Sequence, residues 1–419
     1  MLPVVTIHDV ATKRRPAFAA AELSAAETIV NDVRHNGEKA LRVWCTKFGE
    51  IDDASPLLID QPQLLQAYHA VDADTRQLLD RVAERIRHFA EAQKHTLNHA
   101  NVVVQGGRAG HDWLPVNVAG CYAPGGRYPY PSTVLMTAIT ARVAGVRDVV
   151  VATPKPSAVM LAAAHVAGAD AVLAAGGAQA VAAMAFGVVA PRADVICGPG
   201  NAYMTAAKYL VSAHCGIDML AGPTDLLVVA DETADPALIA ADMLAQAEHD
   251  TAAQPMLIAF SEKLVMQVRE ALTQQLNHLA THAVAAEGMK NAFAMLARDD
   301  DEAAAWCDVI APEHVQICLQ HSWAFRAKIK NYGALFCGEH SAEVLGDYGM
   351  GPNHTLPTGG VARYAAGLSV FNFIKPRTWL LADDQNPGYA HLLRDSAHLA
   401  RLEGLAGHEA AAAQRLKKL

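Results

Sequence analysis

From Asp148 to Val211 the chain reads DVVVATPKPSAVMLAAAHVAGADAVLAAGGAQAVAAMAFGVVAPRADVICGPGNAYMTAAKYLV. Short apolar runs (Asp148-Val149-Val150-Val151-Ala152, Ala171 to Ala174, Val195-Ile196-Cys197) alternate with helical segments from Ser157 to Ala167, Ala178 to Phe186 and Asn201 to Val211. Strands of about four apolar residues separated by helices of about ten predict a parallel sheet with helices on both faces. A membrane span is excluded here, because His165, Asp170, Gly176-Gly177 and Gln179 interrupt the apolar stretch from Leu161 to Val189.

The pattern extends both ways. Upstream, Ser132 to Val143 predicts a helix, and NVVVQGGRAGHDWLPVNVAGCYAPGG, from Asn101 to Gly126, shows the alternation and turns of strands and hairpins. From Ala20 to Gln93 apolar residues recur at three- and four-residue spacing, a helical signature. Lys13-Arg14-Arg15-Pro16 reads as a short linker. Downstream, Leu226 to Ala230 predicts a strand, Pro236 to Glu248 a helix, and Met256 to Phe260 and Ala334 to Phe336 further strands. From Tyr364 onward the sequence predicts a loop with Pro376 and Pro387. The chain then finishes in a helical tail, AAAAQRLKKL, with cations in its last turn as the helix dipole favours.

Composition narrows the class. A chain of 419 residues, 52% hydrophobic and 18% charged, has the apolar material for more than one core, which excludes disorder for most of its length. Only 6% is aromatic, so small residues do much of the packing. The net charge of -9, without a long Lys/Arg cluster, argues against nucleic acid and anionic membrane as partners. Seven scattered cysteines with no CxxC pair fit reduced thiols in a cytoplasmic protein. The opening MLPVVTIHDVATKRRPAF places its basic residues after the apolar stretch and lacks a signal-peptide core.

Several clusters offer chemistry. No GxGxxG dinucleotide motif is present. Three glycine-rich turns occur instead, Ala123-Pro124-Gly125-Gly126, Gly176-Gly177-Ala178-Gln179 and Gly198-Pro199-Gly200-Asn201. The last two follow strands and open helices, where free backbone N–H groups attract phosphate; the alternative is a tight turn with no ligand. Gln246 and His249, three apart in QAEHD, share a helix face and can offer an oxygen and a nitrogen to one cation. Glu313 and His314 form an adjacent acid–base pair in a polar setting. Gly346 to Thr358 is dense in turn formers, either a functional loop or a structural one.

The order of these clusters carries a resemblance. YAPGGRYPYPSTVLM, GGAQAVAA, GPGNAY, GIDMLAGPTD, QAEHD, APEHV, GDYGMGPNHTLPTGGVARY, GLSV and the closing Glu403-Gly404-Leu405-Ala406-Gly407-His408 together resemble histidinol dehydrogenase from about residue 20 to the end. That family oxidises L-histidinol through a held aldehyde to L-histidine, in histidine biosynthesis, with zinc and two successive hydride transfers to NAD. The resemblance implies one zinc per subunit held by Gln246, His249, Asp347 and His408, the last from the partner subunit of an obligate homodimer. It implies His314 as proton acceptor in both oxidations and Glu313 as the base that activates water. Zinc would anchor the substrate's amino and imidazole nitrogens. Thr224, Gln246, His249, His314, Asp347, His354, Glu403 and His408 would then meet substrate, and Tyr122, Gln179 and Asn201 the NAD. The fold implied is α/β, with two incomplete Rossmann-like domains. One spans 121–230, and the other is split between 20–120 and 231–369. An N-terminal arm, 1–19, and a C-terminal extension, 370–419, swapped across the dimer, complete it.

Some positions depart from the family pattern. Thr224-Asp225 stands where Ser-Glu is usual, and Thr137 and Thr140 stand in a helix that usually carries Asn and Pro. Arg127-Tyr128-Pro129-Tyr130 is more aromatic than usual, and Phe371-Asn372-Phe373 replaces a more polar segment. Such changes are familiar in paralogues acting on other small polar alcohols, a sulfopropanediol among them, and that is the alternative substrate class. A non-catalytic zinc-binding homologue is the alternative from a different class, and the intact Glu313-His314 pair argues against it.

Overall fold

The computed structural model describes residues 2–11, 16–52, 55–125 and 128–419. Lys13-Arg14-Arg15 of the expected linker, and Gly126 and Arg127 of the first glycine turn, lie outside the described residues. The chain divides into two compact units, Met1–Ala92 with Val116–Phe373, and Gln93–Pro115 with Ile374–Leu419. No helix among the described residues is long and apolar enough to cross a membrane.

The larger unit holds two sheets. In the first, β1 (Leu58–Asp60), β4 (Val118–Tyr122), β5 (Asp148–Ala152), β6 (Ala171–Leu173), β7 (Val195–Cys197) and β8 (Gly216–Ile217) lie in the order β1-β6-β5-β4-β7-β8. Only β1 runs antiparallel. In the second, β9 (Asp225–Ala230), β10 (Gln254–Ala259), β11 (Phe293–Leu296), β12 (His314–Cys318) and β13 (Ala334–Cys337) are all parallel, in the order β11-β10-β9-β12-β13. Setting β1 aside, both sheets share one topology. The chain starts at a central strand, steps outward twice, then returns to the other side of the first strand. That reversal is the switch point of an open α/β sheet.

The helices follow from their caps and apolar faces. The first short helix, α1 (Ile7–Ala11), follows an arm whose Leu2 is fully buried and whose Val4 bridges Ala294 at the edge of the second sheet. Then come α2 (Ala20–Lys47), α3 (Gln61–Ala70) and α4 (Ala73–His95); Asp60 caps α3 by accepting from the Gln63 N–H, with Gln63 reaching back. Gly37 breaks α2 with φ 60 and ψ -140, a conformation closed to most other residues, so the segment is two helices across a kink. Flanking the first sheet are α5 (Pro131–Ala144), α6 (Ala158–Val166), α7 (Gly177–Phe186) and α8 (Ala202–Val211), and α2 packs on α7 and α8. Around the second sheet lie α9 (Pro236–His249), α10 (Glu262–Leu276), α11 (His282–Gly288), α12 (Asp300–Ile310), α13 (Ser322–Phe325) and α14 (Val344–Tyr348). Asp235, Ser261 and Asp299 cap α9, α10 and α12 through their side chains.

The boundary drawn from sequence at residue 230 falls after β9, yet β9 is the central strand of the second sheet. The strand–turn–helix rhythm is the same on both sides of that point, so periodicity alone does not say which sheet a strand joins. Likewise the 20–120 segment, assigned from sequence to the second sheet, sends α2 and β1 to the first.

The smaller unit contains the hairpin β2 (Ala100–Val104) and β3 (Gly107–Pro115), with β14 (Ile374–Ala382) antiparallel to β3 and the helices α15 (Tyr389–Leu402) and α16 (Ala406–Leu416) paired with each other. Pro376, expected in a loop, pairs with Trp113 inside β14. That strand is the sheet edge, where proline's missing N–H faces no partner.

Candidate active site

The amino ends of β9 and β12 carry the first part of the site. These strands are neighbours in register, His314 opposite Leu226, so Thr224 and Asp225 arrive beside Glu313 and His314. The Glu313 carboxylate takes a hydrogen bond from the Thr224 hydroxyl at 2.6 Å and from the Asp225 N–H at 3.2 Å. The Asp225 carboxylate in turn accepts from the Glu313 N–H at 2.7 Å. His314 lies with Nδ1 3.1 Å from the Asp225 carbonyl. That contact requires Nδ1–H as donor, and in the neutral ring the lone pair then sits on Nε2, the form a general base needs. The polar setting expected for the pair is not what the chain builds. Glu313 and His314 are 6% and 4% exposed, because they lead into a fully buried strand, HVQIC.

The last turn of α9 supplies the second part. A helix that follows a parallel strand runs back along it, so the carboxyl end of α9 reaches the amino ends of the strands. Gln246 is fully buried there, and its Nε2 donates to Thr224 Oγ1 at 2.6 Å. One hydroxyl therefore links the carboxylate of Glu313 to the amide of Gln246 and fixes which way that amide points. The Gln246 Oε1 atom is buried with no hydrogen-bond partner. His249, one turn further on, is partly exposed, with Nε2 3.6 Å from Asp347 Oδ2. Asp347 lies on α14, and its other oxygen is 3.7 Å from His354 Nδ1. His354 Nε2 meets the Thr133 hydroxyl of α5 at 3.2 Å. This last contact joins the first sheet's leading helix to the second sheet's site.

A residue that the sequence reading passed over also belongs here. Glu343, 2% exposed, places Oε1 3.4 Å from His314 Nε2. One of its carboxylate oxygens, a ring nitrogen of His249 and a carboxylate oxygen of Asp347 lie within 4.8 Å of one another. The available signal was its position four residues before Asp347, a spacing that puts two acids on one helical face. Burial raises Glu343 to about 7, with the charge of His314 opposing that rise. Burial and the Asp225 charge push Glu313 well above the usual carboxylate range. Burial lowers His354 against the opposing charge of Asp347.

Four carboxylates (Asp225, Glu313, Glu343 and Asp347) thus meet in one largely dry pocket. Such a concentration of acid calls for a cation. An unpartnered amide oxygen, an imidazole and carboxylate oxygens form a donor set that zinc accepts, and the residues fit that ion. Of the expected ligands, His249 and Asp347 are brought together, with Glu343 beside them, while Gln246 lies one turn earlier on α9 and is held by Thr224. Glu403 and His408 lie in the smaller unit and are exposed.

The switch point of the first sheet carries the other expected residues. Tyr122 ends β4, and Gly198 follows the neighbouring β7. A Cβ on Gly198 would stand 2.0 Å from the Tyr122 carbonyl oxygen, and its φ is +118, so only glycine fits. The Tyr122 hydroxyl accepts from the Gly177 N–H at 3.0 Å, and Asn201 caps α8 by accepting from Met204 N–H at 3.1 Å. The sequence predicts free N–H groups at the start of α7, and the chain itself takes up two of them, those of Gly176 and Gly177. The Glu50 carboxylate accepts from the Gly176 N–H at 3.0 Å and from Gln179 Nε2 at 2.9 and 3.0 Å.

The departures at Thr224, Asp225 and Thr140 each have a structural role. Thr140 Oγ1 donates to the Met136 carbonyl at 2.6 Å and accepts from Asn353 Nδ2 at 3.2 Å, tying the loop before His354 to α5.

A family model described as histidinol dehydrogenase matches residues 12–416. Histidinol dehydrogenase of Gluconobacter oxydans is 41% identical over 409 residues, covering 95% of this chain and 94% of that protein. The Aquifex aeolicus enzyme of the same name is 38% identical over 388 residues, covering 92% and 90%. The crystal structure of histidinol dehydrogenase from Elizabethkingia anophelis matches with a TM-score of 0.91 at 31% identity, covering 98% of this chain and 96% of that one.

Proposed function

The chain belongs to the histidinol dehydrogenase family of NAD-dependent oxidoreductases, and from that premise we propose how its own residues carry the oxidation of L-histidinol through the aldehyde to L-histidine. Gln246, His249 and Asp347 would hold the zinc from one chain, and the partner subunit's His408 would complete the set. The orphaned Gln246 oxygen is the observation that carries this reading, since a buried amide oxygen without a partner costs about 1–3 kcal/mol. Bound zinc supplies a positive charge and open positions that fix the substrate's amino and imidazole nitrogens.

In the first oxidation, a hydride leaves the alcohol carbon for NAD while His314 Nε2 takes the hydroxyl proton. The Asp225 carbonyl keeps the ring in the right tautomer, and the Glu343 carboxylate faces the charge that develops on it. Glu313 then removes a proton from the water that adds to the aldehyde. As the water adds, His314 returns its proton to the carbonyl oxygen, giving the hydrate. Loss of a second hydride to a second NAD, with His314 again taking a hydroxyl proton, then leaves the acid, which ionises to the carboxylate. Thr224, His354 and the partner's Glu403 frame the substrate. Tyr122, Gln179 and Asn201 meet the NAD at the switch point.

Sharing the site requires a homodimer. The smaller unit supports this reading with exposed apolar side chains, Val103, Leu380, Leu399 and Leu402, at 75%, 81%, 59% and 72%. The cysteines are free thiols, six of them buried, which suits a reducing cytoplasm. The test is NADH formation by the zinc-loaded protein with L-histidinol beside dihydroxypropanesulfonate and simple amino alcohols. Two NADH per histidinol, with histidine as product, is the expected result. Faster turnover of another alcohol, with histidinol ignored, would overturn the substrate.

A further inference from the structure

We propose that Glu343 is a metal ligand of the single chain: with His249 and Asp347 it receives the zinc, and it gives up its place when the partner subunit's His408 arrives. This rests on the zinc-binding reading of Gln246, His249 and Asp347, whose expected ligand set leaves Glu343 out. A Glu343 carboxylate oxygen, a ring nitrogen of His249 and an Asp347 carboxylate oxygen lie within 4.8 Å of one another, all in the larger unit. Zinc bonds of about 2.0–2.1 Å put tetrahedral donor atoms about 3.3 Å apart. His249 Nε2 already stands 3.6 Å from Asp347 Oδ2. His408, by contrast, is exposed and belongs to the smaller unit. One chain therefore gathers these donors without it.

Two features set Glu343 apart from an ordinary buried acid. First, its Oε1 atom is buried with no hydrogen-bond partner. The imidazole nitrogen facing it, His314 Nε2 at 3.4 Å, carries a lone pair in the neutral ring, because Nδ1–H is spent on the Asp225 carbonyl. A carboxylate oxygen in a residue only 2% exposed, set against a lone pair, calls for a cation. Second, Glu343 and Asp347 stand four residues apart at the start of α14, so one short helix brings both acids to His249. His249 ends α9 at the surface and gives an ion its entry path. Charge accounts for the exchange. Two carboxylates, an imidazole and an amide make a neutral complex with a divalent ion, which a dry pocket tolerates. Trading one carboxylate for the imidazole of the partner's His408 leaves a positive charge on the complex. It also frees Glu343 to face His314 as that ring takes a proton.

The test measures zinc affinity by competition with a chromophoric chelator. It compares wild type, His408→Ala, Glu343→Gln, Glu343→Ala and the two double variants, each checked by its melting curve. The glutamine is isosteric, so it removes charge with little change of shape and keeps the comparison open if the alanine protein unfolds. His408→Ala should still bind one zinc per chain. In that background Glu343→Ala should weaken zinc by more than about 100-fold, the most that an acid merely orienting another ligand costs. Glu343→Gln should weaken it less, since an amide oxygen remains. With His408 in place the same changes should cost at most about 10-fold. Cobalt in place of zinc gives a second readout: in the His408→Ala protein its visible absorption should shift on Glu343→Gln, as a change of ligand requires. Equal losses of affinity in both backgrounds, an unmoved cobalt spectrum, or a folded His408→Ala protein that binds no metal overturns the proposal. Wild type that binds no zinc would overturn the zinc reading itself, and this inference with it. Wild type that binds zinc, with Glu343 changes felt in neither background, overturns this inference alone.

Discussion

At Thr224 one hydroxyl serves two masters, the Glu313 carboxylate and the Gln246 amide, each at 2.6 Å. Thr224→Val leaves both buried groups short of a partner, at about 1–3 kcal/mol, and kcat/KM should fall roughly 10- to 100-fold. Thr224→Ser should retain most activity, because the hydroxyl stays. Equal losses in the two variants, read by steady-state kinetics, would mean that the methyl rather than the hydroxyl matters. His314→Asn should abolish turnover while metal content stays near one per chain; metal lost on that change would contradict its role as base. Glu313→Gln should slow the second hydride transfer more than the first, seen as aldehyde accumulation in a rapid quench. The residues of this site were legible where a short motif carried them, as with Glu313-His314 and Gln246 with His249. Glu343 was not, since a lone acid before a short helix looks like any solvated carboxylate until burial brings it to His314.

The alternation of strands and helices from Asp148 to Val211 was readable almost to the residue, because buried parallel strands leave continuous apolar runs between turns. Strand β12 was missed: Gln316 interrupts its apolar pattern, and only its bond to Asp242 at 2.7 Å makes that amide tolerable in the core. In the proposed site opposite strand ends carry the two halves of the chemistry, carboxyl ends in the first sheet and amino ends in the second, and nothing in sequence distinguishes these. Beneath the Gly198 turn, Lys208 and Asp218 form a buried ion pair. Lys208 also donates to the Gly198 carbonyl, and Asp218 accepts from the Gly198 N–H at 2.8 Å. Lys208→Met should cost about 3–5 kcal/mol in urea unfolding, because it strands a buried carboxylate, and should weaken NAD binding through the Gly198 turn. A stability change below about 1 kcal/mol would show that the pair is solvated in solution.

For the whole molecule, the two-sheet α/β architecture was legible in the repeated strand–helix rhythm, whereas the discontinuous smaller unit was not. The hairpin β2–β3 was legible, but β14 joins it from far along the chain, and such non-local pairing leaves no local pattern. The shared site makes a prediction at this scale. Mixing a His408→Ala chain with a His249→Ala chain should restore about a quarter of the sites after subunit exchange, since half of the dimers are mixed and each carries one native site. No rescue would mean that each chain closes its own site. The most direct measurement is metal content and turnover on one preparation, before and after chelation and after zinc is returned. The account predicts one zinc per chain, turnover lost with the metal and regained with it, and substoichiometric metal in Gln246→Ala and Asp347→Ala. Full activity in a metal-free enzyme would contradict it.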